Sequence, residues 1–144
     1  MKISEMRFPV LRINESNVRR FDHPRELSTL TKQFLDQGGF KEVTHFIDSH
    51  ARSFAVESVK KLRRSRNPLY WFAPSPIQVV EIEIGCPTQL EFDEVKRLVA
   101  DLIIRKGWYR QGGESRDEFH KGFAAITNLD DLMKNISAYG SWQG

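Results

Sequence analysis

Hydrophobic and polar positions along this chain follow two different periods, which predicts both strands and helices. In the segment Ile77–Ile84, Val80, Ile82 and Ile84 alternate with polar or acidic side chains. A period of two is typical of a strand that is covered on one face and solvated on the other. The segment therefore predicts a half-buried strand of an antiparallel sheet.

Five further segments predict strands, because short runs of apolar, β-branched and aromatic residues are bounded by turn residues. The polar residues Ser49–Arg52 separate two of these segments, which predicts a hairpin. In the second arm of that hairpin, an unbroken strand places Phe54 and Val56 on one face and Val59 on the other. The five segments are Phe8–Ile13, Phe40–Asp48, Ser53–Leu62, Leu69–Phe72 and Trp108–Gln111.

The longest helical pattern is an apolar stripe over Phe92–Ile103. Thr88 and Glu91 precede it with the spacing of a capping box. Basic residues follow at the negative end of the helix dipole, and Gly107 supplies a C-terminal stop. The stripe predicts a helix that covers one face of the sheet.

Three other helices are predicted from apolar residues three and four positions apart. The first begins at Asp22–Pro24 and stops at Gly38–Gly39. Another begins at Ser115, which forms a second capping-box pair with Glu118, and the last is capped by Asn128. Together the elements predict an α+β fold with a mainly antiparallel sheet and helices on one face. Without a linker or repeat, residues 1–144 are expected to form a single domain.

Composition agrees with a folded domain. Of 144 residues, 40% are hydrophobic and 28% are charged, and ten Phe are more than a disordered chain usually carries. The single Cys excludes an intramolecular disulfide framework and a Cys-rich zinc site. The apolar runs fall far short of the roughly 18 residues of a membrane span, and Met1–Glu5 lacks the core of a signal peptide. We therefore expect a cytoplasmic protein that does not enter a membrane.

The charge balance is slightly basic, with 22 Lys and Arg against 19 Asp and Glu, a formal net charge of +3. The densest run is the basic segment 60–66, which consists of five cations around Leu62 and Ser65, and aromatic residues including Trp71 follow it. Cations neutralise phosphates and aromatic rings stack on bases, so nucleic acid is one candidate partner. An acidic protein surface fits the same charges, and a merely solvated turn is the third interpretation. The five cations are Lys60, Lys61, Arg63, Arg64 and Arg66.

His45, Asp48 and His50, which lie within six residues of one another, are candidate metal ligands. In an unbroken strand His45 and Asp48 point to opposite faces, and zinc sites need three or four converging ligands. We favour a turn in which these side chains make local hydrogen bonds. Neither a metal site nor a cofactor is predicted.

Glu81 and Glu83, whose Cα atoms lie about 7 Å apart on one strand face, are candidate acid–base residues. Such a pair permits acid–base chemistry, in which one carboxyl group has a raised pKa, with His45 as a further candidate. The alternative is cross-strand pairing with Lys or Arg, which we favour. Cys86 is interpreted as inert, because a recognisable His partner is absent from the sequence.

Two further segments are candidate binding sites, one rich in glycine and one with two aromatic residues. Gln111–Ser115 precedes a helix, but it lacks the Lys-Ser/Thr signature of a phosphate-binding loop, and we interpret it as a turn with a helix cap. Tyr139 and Trp142 lie beyond the last helix. They serve either as anchors for a partner or as a cover for the core.

The C-terminal half resembles small bacterial single-domain immunity proteins in size, α+β layout and lack of a catalytic motif. The resemblance is carried by Val79–Glu83, Gly107–Gly113 and Tyr139–Trp142. Immunity proteins neutralise a toxin by covering it and perform no chemistry. The resemblance implies a non-enzymatic protein-interaction domain, and no functional residue transfers from it.

The leading hypothesis is therefore a protein-binding domain with an acidic partner. The alternative is a nucleic-acid-binding domain that uses the basic segment. A homodimer also stays open, since exposed strand edges can pair. The residues predicted to bind a partner are Lys60, Lys61, Arg63, Arg64, Arg66, Trp71 and Trp142.

Overall fold

A computed structural model describes residues 1–14, 18–31, 44–70 and 77–139. These residues form an antiparallel sheet with three α-helices, which confirms the α+β prediction. The strands are β1 Val10–Ile13, β2 Val18–Phe21, β3 Thr29–Thr31, β4 His45–Ile47, β5 Arg52–Arg64, β6 Ile77–Ile84 and β7 Thr88–Gln89. The helices are α1 Phe92–Lys106, α2 Arg116–Ala124 and α3 Leu129–Tyr139. Short 3-10 turns occupy Ile3–Glu5, Pro24–Leu27, Pro68–Tyr70 and Trp108–Gly112.

The strand order is β2-β1-β4-β5-β6-β3, and every neighbouring pair is antiparallel. The long strand β5 joins the two halves of the sheet. Its first residues pair with β4, and its later residues pair with β6. Strand β7 pairs with the beginning of β5, opposite Arg52 and Ser53.

The sheet curls around a buried inner cluster. Phe21 from β2 and Ile82 from β6 pack in this same cluster, although β2 and β6 lie four strand positions apart. In a flat sheet that separation is about 19 Å, because neighbouring strands lie about 4.8 Å apart. The shared cluster therefore requires strong curvature. Its buried members are Met6, Val10, Phe21, Leu27, Phe46, Phe54, Val80, Ile82 and Ile84.

The opposite face of the sheet carries the helices. Leu11, Val18 and Ile47 project from β1, β2 and β4 into a second cluster. Helix α1 faces it with Val95, Val99, Leu102 and Ile103, whereas Leu98 of the predicted stripe is exposed. Buried residues of the other two helices complete this cluster: Phe119, Phe123, Leu132, Met133 and Ile136.

A bulge in β5 corrects one predicted face. The pairing between β5 and β6 shifts between Val56 and Ser58, so the strand is not uniformly alternating. Because the bulge contains one extra residue, side chains beyond it change face relative to an unbroken strand. Val59 consequently packs on the inner cluster together with Val56, rather than on the opposite face.

The predicted helix from Asp22–Pro24 is wrong in its described part. Pro24–Leu27 forms one 3-10 turn, and Thr29–Thr31 then pairs with β6 as strand β3. Ser28 extends this ladder, since its carbonyl accepts a hydrogen bond from the Val80 amide at 2.8 Å. Pairing with a distant strand overrides the local helical spacing. The remainder of the predicted helix lies outside the described residues.

The predicted strand Trp108–Gln111 is also wrong, because the segment is a 3-10 turn between two left-handed glycines. Gly107 has φ 68° and Gly113 has φ 78°. The predicted strand Leu69–Phe72 begins as the turn Pro68–Tyr70 instead, and residues 71 and 72 lie outside the described part of the chain.

The helix caps are partly confirmed. Ser115 Oγ accepts from the Glu118 amide at 3.1 Å, and Asn128 Oδ1 accepts from the Asp131 amide at 2.8 Å. The predicted box before α1 is wrong, because Thr88 belongs to β7. Among the described residues, no helix has the length and apolar character that crossing a bilayer requires.

Candidate functional site

The basic segment 60–66 lies on β5 and in the loop that follows it. All five of its cations are exposed. Lys60–Arg64 is paired with β6, and the Ser65 amide continues the pairing by donating to the Ile77 carbonyl at 2.7 Å. The segment is therefore mostly strand, which corrects the interpretation as a solvated turn.

The pairing register distributes these cations over both faces of the sheet. Lys61 lies opposite Val80 and Arg64 opposite Gln78, so both belong to the face that carries the inner cluster. Lys60 lies opposite Glu81, on the other face. A second irregularity between Lys61 and Arg63 leaves Leu62 as the bulged residue. A partner that approaches this end of the sheet meets positive charge from either side.

Two leucines are exposed, one within the basic segment and one in the loop that follows it. Leu62 is 50% exposed and Leu69 is 85% exposed. The loop that presents Leu69 is ordered by its own polar side chains. Asn67 Oδ1 accepts from the Leu69 amide at 3.0 Å, and Ser65 Oγ accepts from the Asn67 amide at 3.3 Å. Neither leucine is among the binding residues that the sequence predicts. The local sequence feature that accompanies both leucines is the run of cations followed by the turn at Asn67 and Pro68.

The basic end of the sheet is three strands wide. Strand β3 pairs with β6 from Thr29 opposite Val79 to Thr31 opposite Ile77, and Arg63 pairs with Val79 from the other side. At about 4.8 Å between neighbours, the axes of the three strands span about 10 Å across the sheet. This end is therefore a broad surface rather than a narrow two-stranded ribbon.

Glu81, one of the two acidic residues on β6, lies beside lysine side chains of the protein. Lys2 Nζ donates to Glu81, with which it forms an ion pair, and Glu81 faces Lys60 across the β5–β6 ladder. The hydrogen bond from Lys2 and its charge lower the pKa of Glu81 below the ordinary value. A general acid at neutral pH requires a shift in the opposite direction. The cross-strand pairing predicted for this acid is thus present at Lys60.

Asp48 is an organising residue of the β4–β5 turn. It is fully buried, and its carboxylate accepts from the Arg52 side chain at 2.9 and 2.7 Å. Its Oδ1 also accepts from the amides of His50 and Arg52, each at 3.0 Å. His45 Nδ1 lies 3.5 Å from Ser53 Oγ. The carboxylate is therefore engaged in the local hydrogen bonds predicted for this turn, and the described residues contain no group of three potential metal ligands.

The remaining candidates lie elsewhere. Cys86 is exposed in the loop between β6 and β7, and it is not buried as an inert apolar residue would be. The Gln111–Ser115 segment contains the turn and the Ser115 cap predicted for it. Trp71 and Trp142 lie outside the described residues. The five cations of the basic segment and the two exposed leucines therefore lie on β5 and the following loop, with the cations divided between the two faces of the sheet.

Comparison of the chain with protein-family models, with curated proteins and with solved structures gives no match.

Proposed function

We propose that this chain is a non-enzymatic protein-binding domain that recognises an acidic protein surface through β5 and the following loop. The observation that carries the proposal is the combination of five exposed cations with the exposed Leu62 and Leu69. Charge at an interface steers encounter and selects the partner, whereas buried apolar side chains supply most of the affinity.

The fixed position of Leu69 supports an anchoring role. An apolar side chain that is 85% exposed gains free energy when a partner buries it. Its loop is already ordered by the hydrogen bonds of Asn67 and Ser65, so less conformational entropy is lost on binding.

A toxin-neutralising role of the immunity type is the form of this function that we propose. Such a role needs a rigid surface that covers its target and requires no catalytic group. The lowered pKa of Glu81 and the hydrogen bonds of Asp48 support it, because these two acidic residues have structural partners.

The experiment is capture of the partner from nuclease-treated lysate of the source cells, with tagged protein at low and physiological salt. The test variant reverses the charge of Arg63, Arg64 and Arg66 to Glu. The control variant makes the same charge change at exposed helix residues, Arg97, Arg116 and Lys121. We expect the wild type and the control variant to retain one acidic protein in equimolar amount. The test variant is expected to retain at least about tenfold less of that protein, because electrostatic steering changes association rates by about 10-fold or more.

Two results would contradict the proposal. Equal retention by the two variants removes the basic segment from the interface. Retention of nucleic acid alone, from lysate without nuclease, favours the second candidate, in which the exposed cations bind phosphates with a steep salt dependence. The density of cations on β5 favours that candidate.

A further inference from the structure

Ser65 joins the end of β5 to the loop that carries Leu69. Its amide donates to the Ile77 carbonyl at 2.7 Å, which continues the pairing with β6 beyond Arg64. Its Oγ accepts from the Asn67 amide at 3.3 Å, and Asn67 Oδ1 accepts from the Leu69 amide at 3.0 Å. A partly exposed hydroxyl group is therefore held in place between the strand and the loop.

Three exposed arginines lie within two residues of this hydroxyl group: Arg63, Arg64 and Arg66. Within the described part of the chain, none of the three forms an ion pair with a carboxylate. Residues two positions apart along a strand share a face, so Arg63 and Ser65 project to the same side of β5, with Cα atoms about 7 Å apart. The Ser65 hydroxyl group thus lies within reach of a guanidinium group.

Ser58, on the same strand, has the opposite surroundings. It is exposed, but it follows Glu57 and is paired with Glu83 of β6. A phosphate group on Ser58 is repelled by carboxylates, whereas a phosphate group on Ser65 is attracted by arginines. The charges around β5 therefore distinguish the two serines.

We propose that Ser65 is a phosphorylation site whose modification weakens binding at the protein-binding surface. This inference rests on the proposed function, because it concerns regulation of the same surface. Protein kinases select substrates by charge pattern, and the arginines beside Ser65 suit a kinase with an acidic substrate cleft. In the reaction, Ser65 Oγ forms a bond to the γ-phosphorus of ATP and the bond from that phosphorus to the departing ADP oxygen breaks. The hydroxyl proton passes to the catalytic base of the kinase.

Phosphate on Ser65 changes the charge that an acidic partner meets. Phosphoserine carries a charge of about −1.5 to −2 at neutral pH, which offsets part of the charge of the five cations. Guanidinium groups donate paired hydrogen bonds to phosphate oxygens, so Arg63 pairs within the chain instead of with the partner. Phosphate oxygens also accept hydrogen bonds, so the Asn67 amide keeps an acceptor and the Leu69 loop stays ordered. The modification therefore acts through charge.

The first experiment incubates the full chain with lysate of the source cells, phosphatase inhibitors and ATP labelled in its γ-phosphate. We expect the wild type to be labelled and S65A to lose the label at that position. S58A is the matched control and is expected to keep the label of the wild type. The variant R63Q/R64Q/R66Q retains the hydroxyl group and is expected to be labelled at least about tenfold more slowly, because it lacks the charges that attract the kinase.

A further variant separates loss of the hydroxyl group from damage to the loop. S65T keeps both the hydroxyl group and the acceptor for the Asn67 amide, so it is expected to regain the label that S65A loses.

The second experiment tests the effect on binding. Chains that carry phosphoserine at position 65 or at position 58 have the same net charge, and both are used for capture from nuclease-treated lysate. We expect the chain modified at position 65 to retain at least about tenfold less of the acidic protein than the chain modified at position 58.

Failure of this inference and failure of the proposed function give different results. Absence of label at Ser65, or a label that persists in S65A, overturns the phosphorylation site whatever the capture shows. Label at Ser65 with equal capture by the two phosphoserine chains overturns the regulatory role. Capture of no protein by the unmodified chain contradicts the proposed function and with it the regulation, whereas the label still reports on Ser65.

Discussion

Glu81 is a catalytic candidate in the sequence, but in the structure its carboxylate forms an ion pair with Lys2. The sequence predicted that the acids of β6 pair with Lys or Arg across the sheet, and Lys60 occupies that position. Lys2, the stronger partner, is 79 residues away in the chain, so no local pattern identifies it. The charge of the basic segment was evident from composition, whereas the exposure of Leu62 and Leu69 was not, because exposure depends on where β5 extends beyond the inner cluster.

The ion pair of Glu81 makes a pH-dependent prediction. The lowered pKa of Glu81 means that its stabilising contribution is present above the ordinary value of 4.5 and is lost as pH falls through the lowered pKa. We expect Lys2→Gln to raise the Glu81 pKa measured by NMR, and Lys60→Gln to raise it less. The stability difference between wild type and Lys2→Gln should disappear at acidic pH. A larger effect of Lys60→Gln than of Lys2→Gln would contradict this assignment.

Helices and strands were predicted correctly where their own sequence contains a cap or a clear hydrophobic period. Helix α2 has Ser115 as its cap, α3 has Asn128, and β6 has strict alternation. Strand β2 forms a hairpin with the neighbouring β1, but its sequence Val-Arg-Arg-Phe does not alternate and therefore predicts no strand. Strand β3 was predicted as helix, because it depends on hydrogen bonds to the distant β6 rather than on local spacing. The bulge in β5 likewise depends on its register with β6.

Two glycines test the account of the helices. Gly107 ends α1 at φ 68°, where a side chain is strained, although an added Cβ meets no atom closer than 3.9 Å. Gly122 lies within α2 at ordinary helical φ, and an added Cβ meets nothing within 4 Å. We expect Gly107→Ala to destabilise by about 1 kcal/mol and Gly122→Ala to stabilise by about 0.5 kcal/mol in urea unfolding. Changes of the same sign in the free energy of unfolding would contradict the expectation that φ distinguishes the two positions.

For the whole molecule, the two faces of the curled sheet have different tasks. One face packs against the helices, and the other encloses the inner cluster. The later part of β5 carries exposed cations and the exposed Leu62, and the Pro68–Tyr70 turn carries the exposed Leu69. The fold class followed from the sequence, but the curl did not, because curvature depends on how distant strands pack their side chains together.

The most direct test of the proposed function is photo-cross-linking in the source cells. A photoreactive residue replaces Leu69 in one version of the chain and Leu98, an exposed leucine of α1, in the other. We predict that position 69 cross-links to a single acidic protein and that position 98 does not. Cross-linking of that protein from position 98 alone, or of nucleic acid alone from position 69, would contradict the assignment of β5 and its loop as the protein-binding surface.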